Sequence, residues 1–203
     1  MSKISLEPNA SGAGTFSIVS PDSNINRTLN LPDESGTIFS DGTGVPGSAV
    51  IGQLASSNMP SESVIQVVQE STRSQTVTNS TSFVDTDLSG QITPFFSTSK
   101  ILVLVSPQFY AETDIRDFEL DANITRNSTS IKQFRRVLQL RAGLSSGLQG
   151  MASMGLLSHL DSPSSSSLLT YTLQISVKDS ATSGRINKDN SPTSIITLME
   201  IAG

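Results

Sequence analysis

Residues 118–125, FELDANIT, and 171–178, YTLQISVK, each alternate an apolar with a polar side chain over eight positions. Successive side chains of a strand point to opposite faces, so a period of two describes a strand with one buried and one wet face. A slip of one residue would turn the whole apolar set to solvent, so the pattern also restricts register. Residues 101–105, ILVLV, form a continuous apolar run instead, which predicts a strand covered on both faces. Further strands are expected at 64–70, 75–78, 81–93, 133–141, 151–160 and 194–201, separated by Ser, Asn, Asp, Gly and Pro clusters. Residues 109–117 leave room for one helical turn, and no segment carries a long helical period. Eight or nine strands over about 140 residues predict an all-β fold, an antiparallel β-sandwich of jelly-roll type spanning residues 61–203. Ser and Thr make up roughly a quarter of the chain and charged residues only 15%. That composition suits pleated surfaces better than a disordered polyelectrolyte.

The first sixty residues follow a different pattern. Gly12, Gly14, Pro21, Pro32 and Gly36 punctuate residues 1–41, leaving the short apolar pieces FSIV, TLNL and TIF. Each is long enough for a short strand and too short for a helix. Such scattered apolar residues do not offset the backbone entropy of ordering one copy, which points to several copies wound together. Residues 42–60 are small, Gly/Ser/Pro-rich and nearly uncharged, the composition of a linker.

Charge and residue types exclude several functions. The net charge of −5 argues against nucleic acid or an anionic membrane as a main partner. No apolar run approaches the roughly 18 residues of a membrane span. The N-terminus lacks the apolar core of a secretory signal, so synthesis in a cytoplasm is expected. With no cysteine, thiolate catalysis, disulfides and thiolate metal sites are absent. The single histidine, His159, has no evident nucleophile beside it and reads as a strand residue facing solvent or a subunit interface. Asp85 with Asp87, and Asp114 with Asp117, are paired carboxylates. The first pair shares one strand face, and neither has calcium-loop spacing. No Gly-rich phosphate loop or nucleophile elbow is present. No enzyme activity, cofactor or metal is therefore expected.

Two features remain as recognition candidates. Lys132, Arg135, Arg136 and Arg141 form the one basic cluster, with Arg136 placed on the apolar face of Phe134, Leu138 and Leu140. It serves either an anionic-glycan contact or the ion pairing and edge protection of a strand. Residues 161–167 and 179–192 are polar loops, the second with Gly184, Lys188, Asp189 and Asn190 as its turn residues. Loops on a rigid sandwich are where recognition is expected, and Lys188, Asp189 and Asn190 are the candidate contacts, possible ligands including a host surface glycan.

Residues 14–38 carry Gly14, Thr15, Phe16, Ile18, Pro21, Asn26, Arg27, Thr28, Leu29, Leu31, Pro32, Asp33, Ser35, Gly36, Thr37 and Ile38 in order. This run resembles a module of fibre and virion structural proteins of tailed bacteriophages. The remainder resembles a domain of marine and cyanobacterial phage structural proteins at 64–69, 81–85, 99–103, 160–163, 170–171 and 196–201. The resemblance implies a homotrimeric virion component that docks on other virion proteins through residues 1–60, with Arg27 and Leu31 as docking residues, and that carries a C-terminal β head. Two roles follow from it: a short tail fibre or spike meeting the host surface, or a head fibre or decoration protein on the capsid. A polysaccharide depolymerase is the third and poorest match, lacking a long repetitive scaffold.

Overall fold

The computed structural model describes residues 11–13, 24, 60–113, 117–141 and 149–203. The chain divides into two compact units, Met1–Ala49 and Val50–Gly203. The short strands expected within 1–41, and nearly all of the 42–60 linker, lie outside the described residues.

Among the described residues, the second unit has twelve strands. They are β1 (Val64–Thr72), β2 (Thr76–Thr78), β3 (Val84–Ile92), β4 (Lys100–Ser106), β5 (Gln108–Thr113), β6 (Asp117–Arg126), β7 (Thr129–Arg141), β8 (Gln149–Met154), β9 (Leu157–Asp161), β10 (Leu169–Val177), β11 (Thr182–Ile186) and β12 (Ser194–Ile201). They form three antiparallel four-stranded sheets, ordered β1-β12-β4-β9, β2-β11-β5-β8 and β3-β10-β6-β7.

The first two sheets are halves of one. Each strand of the first runs directly into its counterpart in the second: β1 into β2, β4 into β5, β8 into β9 and β11 into β12. Joined in this way, eight strand paths remain. The composite sheet orders them first, eighth, third, sixth; the opposing sheet orders them second, seventh, fourth, fifth. That is the arrangement of a double-sheet jelly roll.

The seam between the half-sheets has local causes. Pro107, between β4 and β5, has no N–H to continue a ladder. Gly155, between β8 and β9, packs so tightly that a Cβ there would stand 2.9 Å from the Phe109 ring. The seam is stitched by the Gly155 N–H to the Pro107 carbonyl at 3.0 Å and the Asn187 N–H to the Gln108 carbonyl at 3.1 Å. The expected strand over 151–160 is therefore two strands in different half-sheets.

The two layers bury a single apolar core. Phe118, Leu120, Ala122 and Ile124 of β6, and Tyr171, Leu173, Ile175 and Val177 of β10, all lie in it as their alternation predicts. Gly184 sits where a Cβ would come within 2.6 Å of Leu120 and 2.8 Å of Val177, which brings β11 close against the opposing layer. The ILVLV run departs from expectation. Ile101, Val103 and Val105 are buried, but Leu102 and Leu104 are only half-buried on the outer face. Residues 108–113 form strand β5, not a helical turn, because Phe109, Ala111 and Thr113 alternate inward. Asn127 and Ser128, with φ of 48° and 67°, close a tight hairpin between β6 and β7.

Candidate functional site

The sandwich has two ends. At one, the N–H of Glu62 reaches the Ala202 carbonyl at 3.0 Å and that of Asn127 the Thr170 carbonyl at 2.8 Å. Residues 60–63, 93–99, 127–128, 162–168 and 202–203 cluster there, at the end where β1 begins, the entry end. At the other, the N–H of Val177 reaches the Ser80 carbonyl and that of Lys178 the Glu119 carbonyl, each at 3.0 Å. The two loops expected to carry recognition do not share an end. Residues 162–168 lie at the entry end, 178–181 turn at the far end, and 187–193 cross the seam between them.

The loop expected over 179–192 is mostly ordered structure. Thr182–Ile186 is strand β11, its Thr, Gly and Ile facing inward, and Lys188–Asn190 is a single 3-10 turn. The turn is anchored by Asn187, a fully buried residue with φ 53° that sequence reading did not single out. Its amide donates to the Thr72 and Ser74 carbonyls, both at 3.1 Å, and its carbonyl oxygen accepts from the Ser194 hydroxyl at 2.6 Å. Asn190 Oδ1 accepts the Gln75 N–H at 2.7 Å, and the Asp189 N–H donates to Gln75 Oε1 at 3.3 Å. Asp189 and Asn190 remain exposed, while Lys188 is half-buried.

Lys188 also meets an aromatic ring that local sequence does not place beside it. Its Nζ lies 4.0 Å from the Tyr110 ring centroid, and the Arg185 guanidinium lies 5.7 Å from the same ring. Such contacts favour the cation over a π face. The Tyr110 hydroxyl beside it holds the Lys188 ammonium above its ordinary pKa. That hydroxyl donates to Glu112 Oε2 at 3.0 Å, and Glu112 also pairs with Arg185. Tyr110, Glu112, Arg185 and Lys188 thus form one interlocked polar group on the outer face of the half-sheet. Glu112 neutralises Arg185, and Lys188 is held over the ring without a carboxylate of its own, so the group braces the face and keeps one net positive charge.

Two members of the basic cluster, Arg135 and Arg136, are paired with carboxylates. A bulge in β7 opposite Asp121 gives Arg136 a φ of 57° and turns it out of the apolar face assigned from alternation. Its N–H donates to Asp121 Oδ1 at 2.7 Å and its Nε lies 3.3 Å from Glu119 Oε2; Arg135 NH1 meets Asp121 Oδ2 at 2.5 Å. Phe134 and Leu138 keep the inward direction on either side of the bulge, opposite Ala122 and Leu120. A cleft of about 290 Å³ lies among Glu119, Asp121, Arg135 and Arg136.

Asp161 is the largest departure from the loop reading. It ends β9, is buried, and accepts the Arg126 guanidinium at 2.8 and 2.7 Å and the Tyr171 hydroxyl at 2.7 Å. His159 lies half-buried in the same strand, opposite Val103. Asp85 and Asp87 share the exposed face of β3 as predicted, taking the Gln174 amide at 2.8 Å and the Ser74 hydroxyl respectively. Among the described residues, no three His, Asp or Glu side chains gather as a metal site. None of the helical turns there is long and apolar enough to cross a membrane.

At the far end a notch of about 400 Å³ opens between Val77–Asn79 and Ser180–Ser183. It is lined by hydroxyl, amide and small apolar groups, and the buried Thr182 hydroxyl lacks a hydrogen-bond partner. Its two sides are about a hundred residues apart in the chain, which is why no local motif announced it. Arg27 and Leu31 lie outside the described residues.

The fold defines an all-β jelly-roll domain. No family model and no curated protein matches the chain. Among solved structures it is similar to the D431N mutant VP2 protein of infectious bursal disease virus in derived T=1 particles, at 13% identity and a TM-score of 0.35 over 70% of this chain. The same protein from the Gx strain gives 12% identity and a TM-score of 0.32, also over 70% of this chain. The chain spans 37% of the length of each. At such TM-scores the likeness establishes neither a shared fold nor a shared role.

Proposed function

We propose that this chain is a structural protein of a tailed-phage virion, a short homotrimeric tail fibre or spike. Residues 1–60 dock it on other virion proteins, with Arg27 and Leu31 in the contact, and the jelly-roll head stands outward toward the host surface. The observation that carries this reading is the Gly14–Ile38 run, with its sixteen matching positions, placed ahead of a separate β head. The jelly roll supports it by analogy, since viral capsid and lectin domains use this architecture. The interlocked charges of the head suit a scaffold better than a hydrolase, and no enzymatic step is assigned to it. The far-end notch, with its hydroxyl and amide lining, is where recognition of a host surface glycan would fall.

Quantitative mass spectrometry of purified particles, with gold-labelled antibody against the head, tests the proposal. Copies in small multiples of the tail symmetry, with label at the tail, are expected. Hundreds of copies over the shell would make it a capsid decoration protein instead. Absence from washed particles would overturn both.

A further inference from the structure

At the far end of the head, β11 outruns one of its neighbours. Its pairing with β2 stops at Gly184–Thr78, while its pairing with β5 continues through Ser183–Glu112 and Thr182–Thr113. Thr182 and Ser183 therefore have no strand beside them on the β2 side, and that gap is the notch of about 400 Å³. Small-molecule sites commonly enclose roughly 300–1,000 Å³. Both walls are held from within the chain. On one side β2 turns away toward the opposing layer. There the Val177 N–H reaches the Ser80 carbonyl at 3.0 Å, Thr78 Oγ1 accepts the Ser80 N–H at 3.0 Å, and the Ser80 hydroxyl donates to the Ser82 carbonyl at 2.8 Å. On the other side Asp179 Oδ1 accepts the Ala181 N–H at 3.0 Å, and the Asp179 carbonyl accepts the Thr182 N–H at 3.2 Å. A site with fixed walls gives up little freedom when it binds.

The lining is polar and carries no charge. Two buried threonines, Thr78 and Thr182, border the notch together with Asn79, Ser180, Ser183 and the exposed Val77. Buried polar groups are hydrogen-bonded as a rule, and leaving one unmade is costly. Thr78 obeys the rule through Ser80. The Thr182 hydroxyl breaks it: it is buried and has no partner among the described residues. The cations nearest in the chain are already engaged, Lys178 Nζ at 3.7 Å from Glu119 and Arg185 with Glu112. Asp179, in the turn that walls the notch, adds a negative charge.

We infer that the notch binds one neutral sugar residue of a glycan, with the Thr182 hydroxyl as the buried hydrogen-bonding partner and Asn79 and Ser180 as contacts at the rim. The inference rests on the glycan reading of this end and narrows it to uncharged sugars. Three features select such a ligand. Hydroxyl and amide groups can both donate and accept, which matches the hydroxyls around a sugar ring. Val77 offers an apolar surface to the C–H face of that ring, at 53% exposure. A carboxylate, phosphate or sulfate would lose its water in the notch and find no free cation there, with Asp179 close by to repel it.

An array of neutral and acidic bacterial polysaccharides, probed with the full-length chain, tests this. Two variants are compared with the parent. Thr182→Val keeps the shape and suits a strand, and the hydroxyl it removes has no protein partner, so this variant should melt no lower than the parent. Ala181→Trp places a large ring at the exposed mouth of the notch. The parent should bind neutral glycans and leave acidic ones, and each substitution should weaken that binding by about tenfold or more. Binding to acidic glycans alone would overturn the inference and leave the glycan reading of the head standing. Binding to no glycan at all would overturn both. Neutral-glycan binding that survives both substitutions would put the sugar elsewhere and overturn the inference. So would a Thr182→Val protein that melts below the parent, since its hydroxyl would then have a partner in the folded chain.

Discussion

Replacing Asp161 with alanine should be the most damaging polar substitution in the head. Asp161 joins β9 of the composite sheet to β6 and β10 of the opposing one through Arg126 and Tyr171. Breaking a buried pair by removing one partner costs about 3–5 kcal/mol, because the remaining charge stays desolvated. The Arg126 side chain is 26% exposed, which lets the orphaned guanidinium reach water and lowers that contribution to roughly 2–3 kcal/mol. Tyr171 is fully buried, so its abandoned hydroxyl adds about 1–2 kcal/mol. The sum, about 3–5 kcal/mol, corresponds to a melting temperature lower by roughly 6–20 °C for a chain of this size. Tyr171→Phe alone leaves the Arg126–Asp161 pair intact and should cost about 1 kcal/mol. Urea unfolding of the two single variants and the double variant gives the coupling directly, and a coupling energy of at least about 0.5 kcal/mol is expected. An Asp161→Ala protein within 0.5 kcal/mol of the parent, at unchanged denaturant slope, would refute the claim that this ion pair ties the layers together.

Other outcomes follow from the same packing. Ile175→Ala removes a fully buried side chain from the middle of β10 and should cost about 2–5 kcal/mol by urea denaturation. Gly184→Ala pushes a methyl group into Leu120 and Val177 and should cost about 1–3 kcal/mol, visible as a lower melting temperature. Asn187→Ala strips three hydrogen bonds from a buried site and should destabilise by about 2 kcal/mol or more, whereas Asp189→Ala should change stability by less than about 0.5 kcal/mol. Burial, reinforced by the bond to Asp161, pushes the Tyr171 phenol well above its ordinary pKa. It stays protonated in the folded head while the unfolded chain ionises above about pH 10, so its contribution is intact below that pH and is lost as pH rises further. Urea midpoints measured from pH 9 to 11.5 should fall more steeply for the parent than for Tyr171→Phe.

What the sequence alone determined is the part that depends on near neighbours in the chain. Period-two alternation in 118–124 and 171–177 identified β6 and β10 together with their buried faces, because the alternation is itself the pleat. Strand number and turn spacing led to an antiparallel sandwich, and Asp85 and Asp87 were placed on one exposed face. Alternation failed where one residue changes the geometry. Nothing in the 151–160 pattern marks the seam at Gly155, which arises from packing on Phe109. Nor does the β7 pattern reveal the bulge that turns Arg136 outward, since that depends on Asp121 across the hairpin. Tertiary structure decided everything held by distant partners. Asp161 reads as a loop residue until Arg126 is brought to it from 35 positions away, and the Lys188–Asn190 turn reads as free until Gln75 meets it from 115. Likewise, the lining of the far-end notch is dispersed over 77–79 and 180–183, and only the register of β2 with β11 brings its two sides together. Periodicity records which way a side chain points, and sheet order, which involves contacts between residues far apart in the chain, decides what it points at.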